Sequence, residues 1–283
     1  MKEKIGLVVS LSTLLFTVCF QLVILREYIR YKDVYDVEQI PMEKVRELKI
    51  SEELLTDLID EGKKGEIDLT HEITIRMMVY DYDLSDVNTV KPIPFRSAYI
   101  NKLCNLDTYK QLYGIYDTIF TDLTYFPVPE DVRGGETIRF NDSWGGARTY
   151  GGERKHEGTD IMTSNNLRGY FPILSITDGV VEKKGWLEKG GYRIGIRSNN
   201  GCYFYYAHLD SYALDLEVGD KVTAGEMLGY MGDTGYSKVE GTTGNFPVHL
   251  HLGIYIFDEK FETSFNPYWI LRYLMEHKLE YSF

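Results

Sequence analysis

The hydrophobic pattern opens on an uncharged run of 21 residues, Ile5 to Leu25, with Lys2 and Lys4 before it and Arg26, Arg30 and Lys32 after it. At ~1.5 Å per residue, a helix of that length spans about the ~30 Å hydrocarbon core of a bilayer, so the run predicts a transmembrane helix. A cleaved signal peptide would have a shorter apolar region followed by small residues, whereas this run ends Val23-Ile24-Leu25-Arg26. The reading is an uncleaved anchor. The residues before Cys19 (Phe16, Thr17, Val18) include no small side chain of the kind that precedes a lipidated cysteine.

From about Tyr31 to Leu123 the apolar positions fall mainly at helical spacing. Ser51 is placed to cap a helix with Glu52 and Glu53 in its first turn and Leu54, Leu55, Leu58 and Ile59 on one face, stopping at Gly62. Tyr109, Leu112, Tyr113, Tyr116, Ile119 and Leu123 repeat that spacing. Between them Ile73, Ile75, Met77 and Val79 alternate while Ile73, Met77, Tyr80 and Leu84 follow a helix, and the stretch is read as helix. Phe126-Pro127-Val128-Pro129 then breaks the pattern. Beyond it Tyr192, Ile194 and Ile196 alternate, Asn200-Gly201 is a favoured hairpin turn, Tyr203 to Ala207 and Leu250 to Phe257 read as strands, and a helix is expected from Pro267 to His277. The expected fold class is α+β. Its parts are an N-terminal transmembrane anchor with flanks over 1–32, a mainly helical membrane-proximal stalk or regulatory region over 33–125, and a mainly antiparallel β domain over 126–283.

Composition narrows the function classes. With 283 residues and 43% hydrophobic content the chain has ample length for a core. Its net charge of -12 argues against nucleic acid, which draws most of its affinity from basic side chains on phosphates. Residues 1–32 carry 5 basic and 2 acidic side chains, residues 33–125 carry 10 and 19, and residues 126–283 carry 16 and 22, so basic charge is in excess only at the N-terminus. Cys19, Cys104 and Cys202 allow at most one bridge outside a membrane.

Four of the six histidines fall in three short motifs of the β domain. In His156-Glu157-Gly158-Thr159-Asp160, Gly158 lets the chain bend so that an imidazole and a carboxylate can converge on one ion. In His249-Leu250-His251, two imidazoles two apart on a strand share a face. Tyr206-Ala207-His208-Leu209 puts a further histidine on a strand. His71 and His277, in helical context, read as ordinary surface residues. Each motif taken singly fits a structural role. Together they offer a His, Asp, His donor set with a fourth position left for water, as in catalytic zinc sites, and two more histidines for proton transfer. The helical His-Glu-x-x-His zinc-protease motif is absent from the sequence.

These motifs carry a family resemblance. Phe140 to Ile161 and Tyr205 to Ile254, with YYAHL, LEVGDKVTAGEMLGYMGDTG and FPVHLHLGI, resemble the lysostaphin and LytM-type zinc metalloendopeptidases of bacterial peptidoglycan over roughly residues 126–270. The resemblance implies that His156, Asp160 and His251 hold Zn²⁺ and that His208 and His249 are the catalytic pair, their separate roles left open. Tyr150 falls where some members place a tyrosine that steadies the oxyanion. Arg148 is a further residue for substrate or oxyanion, with a surface salt bridge as its plainer reading. The implied protein is a membrane-anchored enzyme that hydrolyses peptide bonds in peptidoglycan stems or cross-links. Its β domain would lie outside the cytoplasmic membrane, and the anchor would bring an acidic enzyme to an anionic wall.

Two rivals come from other classes. A catalytically silent scaffold or activator of other wall hydrolases would characteristically lack metal ligands, yet every ligand position is filled. A biotinyl or lipoyl carrier hairpin at Val218 to Gly225 explains none of the histidines. For residues 33–125 the plainer expectation is a spacer, and the sharper one a segment that covers the zinc cleft.

Overall fold

The structure is a computed structural model that describes residues 12–26, 39–86, 96–258 and 261–282. Residues 12–26 are helical with apolar side chains such as Phe16, Leu22 and Val23 exposed. No helix among the described residues is long and apolar enough to cross a membrane. The spanning length expected from Ile5 to Leu25 is therefore not shown, and residues 5–11 of that run, with Arg30 and Lys32, lie outside the described residues.

The helical region forms in outline as its spacing predicts, but the helix through Ile73 and Met77 ends at Val79, and Leu84 lies in a two-residue strand paired with Lys49–Ile50. Ser51 Oγ accepts the Leu54 N–H at 3.3 Å to start the helix Glu52–Lys63, which buries Leu54, Leu55, Leu58 and Ile59. This helix does not stop at Gly62. Gly62 instead lets the next helix approach, since an added Cβ would lie 3.2 Å from Leu69 Cβ, and the chain turns at Gly65, whose φ is +74. Asp68 caps the helix Leu69–Val79, in which Ile73, Ile75, Met77, Met78 and Val79 are all buried. Burial on nearly every side explains why that stretch shows no clean helical face. The helix Asp107–Phe120 packs against it through Tyr109, Leu112, Tyr116, Ile119 and Phe120, and Leu123 falls beyond its end. His71 and His277 are half-buried rather than simply exposed: His71 Nδ1 meets Tyr109 Oη at 2.7 Å, and His277 Nδ1 meets the Tyr273 carbonyl at 3.3 Å.

Described residues of this region pack against the β domain. Arg46 donates to the Ser264 carbonyl and hydroxyl, both at 2.8 Å, and Asn200 Nδ2 donates to the Asp117 carbonyl at 2.7 Å. Glu52 pairs with Arg272 at 2.7 Å, where the helix Glu52–Lys63 lies against the helix Tyr268–Leu274. One continuous cluster of buried residues runs from Val45 to Leu274.

The β domain is built on a ten-stranded sheet. Its main path runs Lys221–Val222, Gly179–Leu187, Gly191–Ser198, Tyr203–Tyr212, His249–Asp258, Thr159–Thr163 and Ile138–Arg139, each pair antiparallel. The Asn200-Gly201 turn joins the third and fourth of these, with Gly201 at φ +93. Alternation sorts the faces. Ile194, Ile196, Phe204, Tyr206, Leu250, Leu252 and Ile254 are fully buried, which turns the intervening residues to the opposite face. Cys104 and Cys202 do not pair; all three cysteines are free.

Candidate metal centre and catalytic cleft

Strand register brings the first donors together. His251 lies directly opposite Asp160 on one side and Ala207 on the other, so Asp160 and His251 are cross-strand neighbours on one face. His249 shares that face two residues earlier. His156 precedes the strand Thr159–Thr163 and is held by a small hairpin: its N–H donates to the Gly146 carbonyl, and its own carbonyl accepts from the Gly145 N–H, both at 2.7 Å. Gly158 matters for closeness, because an added Cβ would sit 2.6 Å from the His251 ring and 2.5 Å from the Leu252 carbonyl.

His156 Nδ1 donates to the Ser143 carbonyl at 3.0 Å, which leaves Nε2 with its lone pair. That nitrogen lies 3.0 Å from His251 Nδ1 and 3.1 Å from Asp160 Oδ1, and the last two are 3.0 Å apart. Three lone-pair atoms thus converge. A proton can join one pair of them, whereas a cation joins all three, and two imidazoles with one carboxylate are a donor set suited to zinc. These residues fit the ion that the resemblance implies.

Burial opposes the charge on Asp160, but the close contacts with the His156 and His251 rings outweigh it and hold the carboxyl well below the usual carboxylate range. Arg148 Nη2 donates to the other oxygen, Oδ2, at 2.9 Å. Arg148 forms a salt bridge within the cleft rather than on the open surface, and its partner is the proposed ligand itself.

His208 and His249 stand beside this triangle with ring centroids 4.7 Å apart. His208 Nδ1 donates to the Thr234 carbonyl and His249 Nδ1 to the Pro247 carbonyl, each at 2.7 Å, so both present Nε2 as an acceptor. Burial, reinforced by the charges of His249 and His251, lowers the pKa of His208 well below the ordinary histidine value; burial also lowers that of His249, against the pull of Asp160. Burial thus favours the neutral form of both imidazoles. Phe246 fills the space behind them, its ring 4.6 Å from His208 and 5.1 Å from His249.

His208 reaches this face through a bulge. Regular alternation would place it with the fully buried Tyr206, away from Ala207 and His251. Tyr206 pairs with Ile194 and Leu209 with Tyr192, so the strand Tyr203–Tyr212 carries one extra residue there, and His208 sits at φ 63. Tyr150 is not at the metal triangle. Its ring stacks on Tyr236 at 4.4 Å, and Tyr236 is the tyrosine that faces His208, at 5.9 Å. Sequence reasoning missed Tyr236, Phe246 and Tyr205, whose ring lies 6.0 Å from His251. Tyr205 was the accessible one, since it alternates with Ala207 on the strand.

The cleft has a volume of about 600 Å³ and is lined by described residues from Arg148 to Glu262. No described residue of the helical region lines it.

Residues 154–267 match Peptidase family M23. A solved structure from Ruminococcus gnavus that carries the name lytM is 42% identical and superposes with a TM-score of 0.72, over 89% of this chain and 98% of that one. The chain belongs to peptidase family M23. The shared fold extends beyond the M23 match into the helical region, which the sequence motifs did not reach. Among curated M23-like relatives, the L-Ala--D-Glu endopeptidase of Bacillus subtilis is 41% identical over 167 residues, 59% of this chain and 48% of that protein. The glycyl-glycine endopeptidase ALE-1 of Staphylococcus capitis is 30% identical over 148 residues, 52% of this chain and 29% of that protein. The chain thus spans about half the length of the first of these curated relatives and less of the second.

Proposed function

We propose that this M23 chain is a zinc metalloendopeptidase that hydrolyses peptide bonds in bacterial peptidoglycan stems or cross-links. The observation that carries the reading is the convergence of His156 Nε2, His251 Nδ1 and Asp160 Oδ1 beside the imidazoles of His208 and His249. Zinc held there would lower the pKa of a bound water to about 7 and polarise the scissile carbonyl.

The remaining work belongs to the chain. Arg148 fixes the Asp160 carboxylate through Oδ2, which leaves Oδ1 toward the ion. His208 and His249, protonated at Nδ1 and open at Nε2, accept and return the proton moved between the attacking water and the leaving amine. Their carbonyl partners, Thr234 and Pro247, hold each ring in that tautomer. A silent scaffold would have no use for a complete donor set with two oriented imidazoles next to it.

The test is digestion of purified peptidoglycan by the full chain, with mass spectrometry of the released material. New peptide amino termini are expected; a polymer left intact with zinc bound to the protein would sink the peptidase reading. The relatives' names divide by charge: a glutamyl residue joined through one carboxyl keeps the other free, and a glycyl-glycine pair has no side-chain carboxyl.

The same proposal puts the enzyme at the cytoplasmic membrane, held by Ile5 to Leu25 with residues 33–283 outside, because its polymer lies there. Protease added to intact protoplasts is expected to remove the β domain. Full protection of that domain would contradict this orientation.

A further inference from the structure

Arg193 has no task in the chemistry above. Its strand neighbours Tyr192 and Ile194 pair with Leu209 and Tyr206, and Arg193 itself pairs with Gly185 on the other side. Ile194 is fully buried in the core, so alternation turns Arg193 to the cleft face, and it lines the cleft with His251 and Tyr205. The row Asp160, His251, Ala207 therefore continues to Arg193 one strand further on. At ~4.8 Å between strands, Arg193 lies about 10 Å from His251 along the sheet, the span of two to three residues of extended peptide. Ala207 and Gly185 leave this row without bulk.

Its electrostatic state differs from that of neighbouring arginines. Arg148 is paired with Asp160, and Arg197 is gripped by Glu182 through Nε and Nη2. Arg193 makes no ion pair among the described residues, and its Nη1 is buried without a hydrogen-bond partner. Glu262 lines the same cleft but does not pair with it. Lys183, exposed and with Nζ 5.6 Å from the centroid of the Tyr203 ring, is its diagonal cross-strand neighbour and adds a second positive charge. A buried, unpaired donor on a cation is a state that folded proteins rarely leave unanswered.

We infer that Arg193, with Lys183, forms a carboxylate-binding subsite that selects peptides bearing a free carboxylate within about two residues of the scissile bond. The inference rests on the peptidase reading and adds the charge of the substrate. The guanidinium fork accepts a carboxylate in bidentate fashion, and a glutamyl residue linked through one carboxyl supplies it. The chain's net charge of -12 would by itself disfavour such a ligand, so the selection depends on this local cationic row.

The test is equilibrium binding by calorimetry to the full chain carrying His208→Ala, which suppresses turnover, so that binding is read whether or not the peptidase reading holds. Three probes are used: an alanyl-γ-D-glutamyl-lysine peptide with its glutamyl α-carboxylate free and its C-terminus amidated, the same peptide with both amidated, and one with only the C-terminal carboxylate free. At least one acid is expected to bind roughly 10- to 100-fold more tightly than the diamide, and the first and third probes tell which carboxylate is read. Adding Arg193→Gln should abolish that preference while leaving diamide binding unchanged. Equal binding of all three probes, or a preference that survives Arg193→Gln, overturns the inference. Should Arg193→Gln lose the diamide too, Arg193→Lys decides: a preference reduced several-fold supports the subsite, and an undiminished one removes it.

Discussion

His251→Ala is expected to strip the protein of zinc and abolish hydrolysis together. His251 Nδ1 stands 3.0 Å from both other donor atoms, so its loss leaves His156 and Asp160 as two donors where three converge. Asp160 also loses a neighbour that favours its ionised form. The wild-type chain, purified with zinc, should contain near-stoichiometric metal by elemental analysis, and His251→Ala and His156→Ala should contain little. Thermal unfolding provides a second reading. A ligand at a hundredfold excess over its Kd stabilises the folded state by about 2.7 kcal/mol, so zinc should raise the Tm of the wild type and not of the variants. Unchanged zinc content in both variants would show that the ion sits elsewhere.

His208→Ala is expected to separate metal binding from turnover. His208 contributes no atom to the His156, Asp160, His251 triangle and is tied instead to the Thr234 carbonyl. Zinc content should therefore stay near that of the wild type while kcat falls by about 10²–10⁴, the usual contribution of a positioned proton-transfer group. His249→Ala should behave in the same way, although its Nε2 lies 3.8 Å from Asp160 Oδ1. The measurement is kcat alongside zinc content for each variant on one soluble peptide. A His249→Ala protein that loses zinc as fully as His251→Ala would move His249 from proton transfer to the ligand set.

Much of the architecture was legible locally. The Ser51 cap, the apolar faces beyond it, the Asn200-Gly201 turn and the strands on either side of it follow from residue types at fixed spacing, and the folded chain forms them within a few residues of expectation. The stretch around Ile73 was ambiguous for a physical reason, because a helix buried on nearly all sides carries neither period clearly. The apolar N-terminal run shows the converse. Composition states what a segment could cross; the described part of it, residues 12–26, is helical with its apolar side chains exposed.

What the sequence by itself determined is the inventory: the three histidine motifs, their order, a β domain to carry them, and which face each member of His249-Leu250-His251 occupies. These depend on covalent neighbours and the period of a strand. Tertiary structure decided the rest. Only register sets Asp160 opposite His251, only the bulge at His208 turns that ring from the core face to the cleft, and only folding brings Arg148 onto Asp160 or Tyr236 between Tyr150 and His208. The packing of the helical region against the β domain, through Arg46, Asn200 and Glu52, belongs to the same class. Apart from the bulge, each of these is a contact between residues that are not neighbours in the chain. Local spacing carries no record of which distant partner a residue will meet, because that choice is made by the burial and hydrogen bonding of the whole sheet.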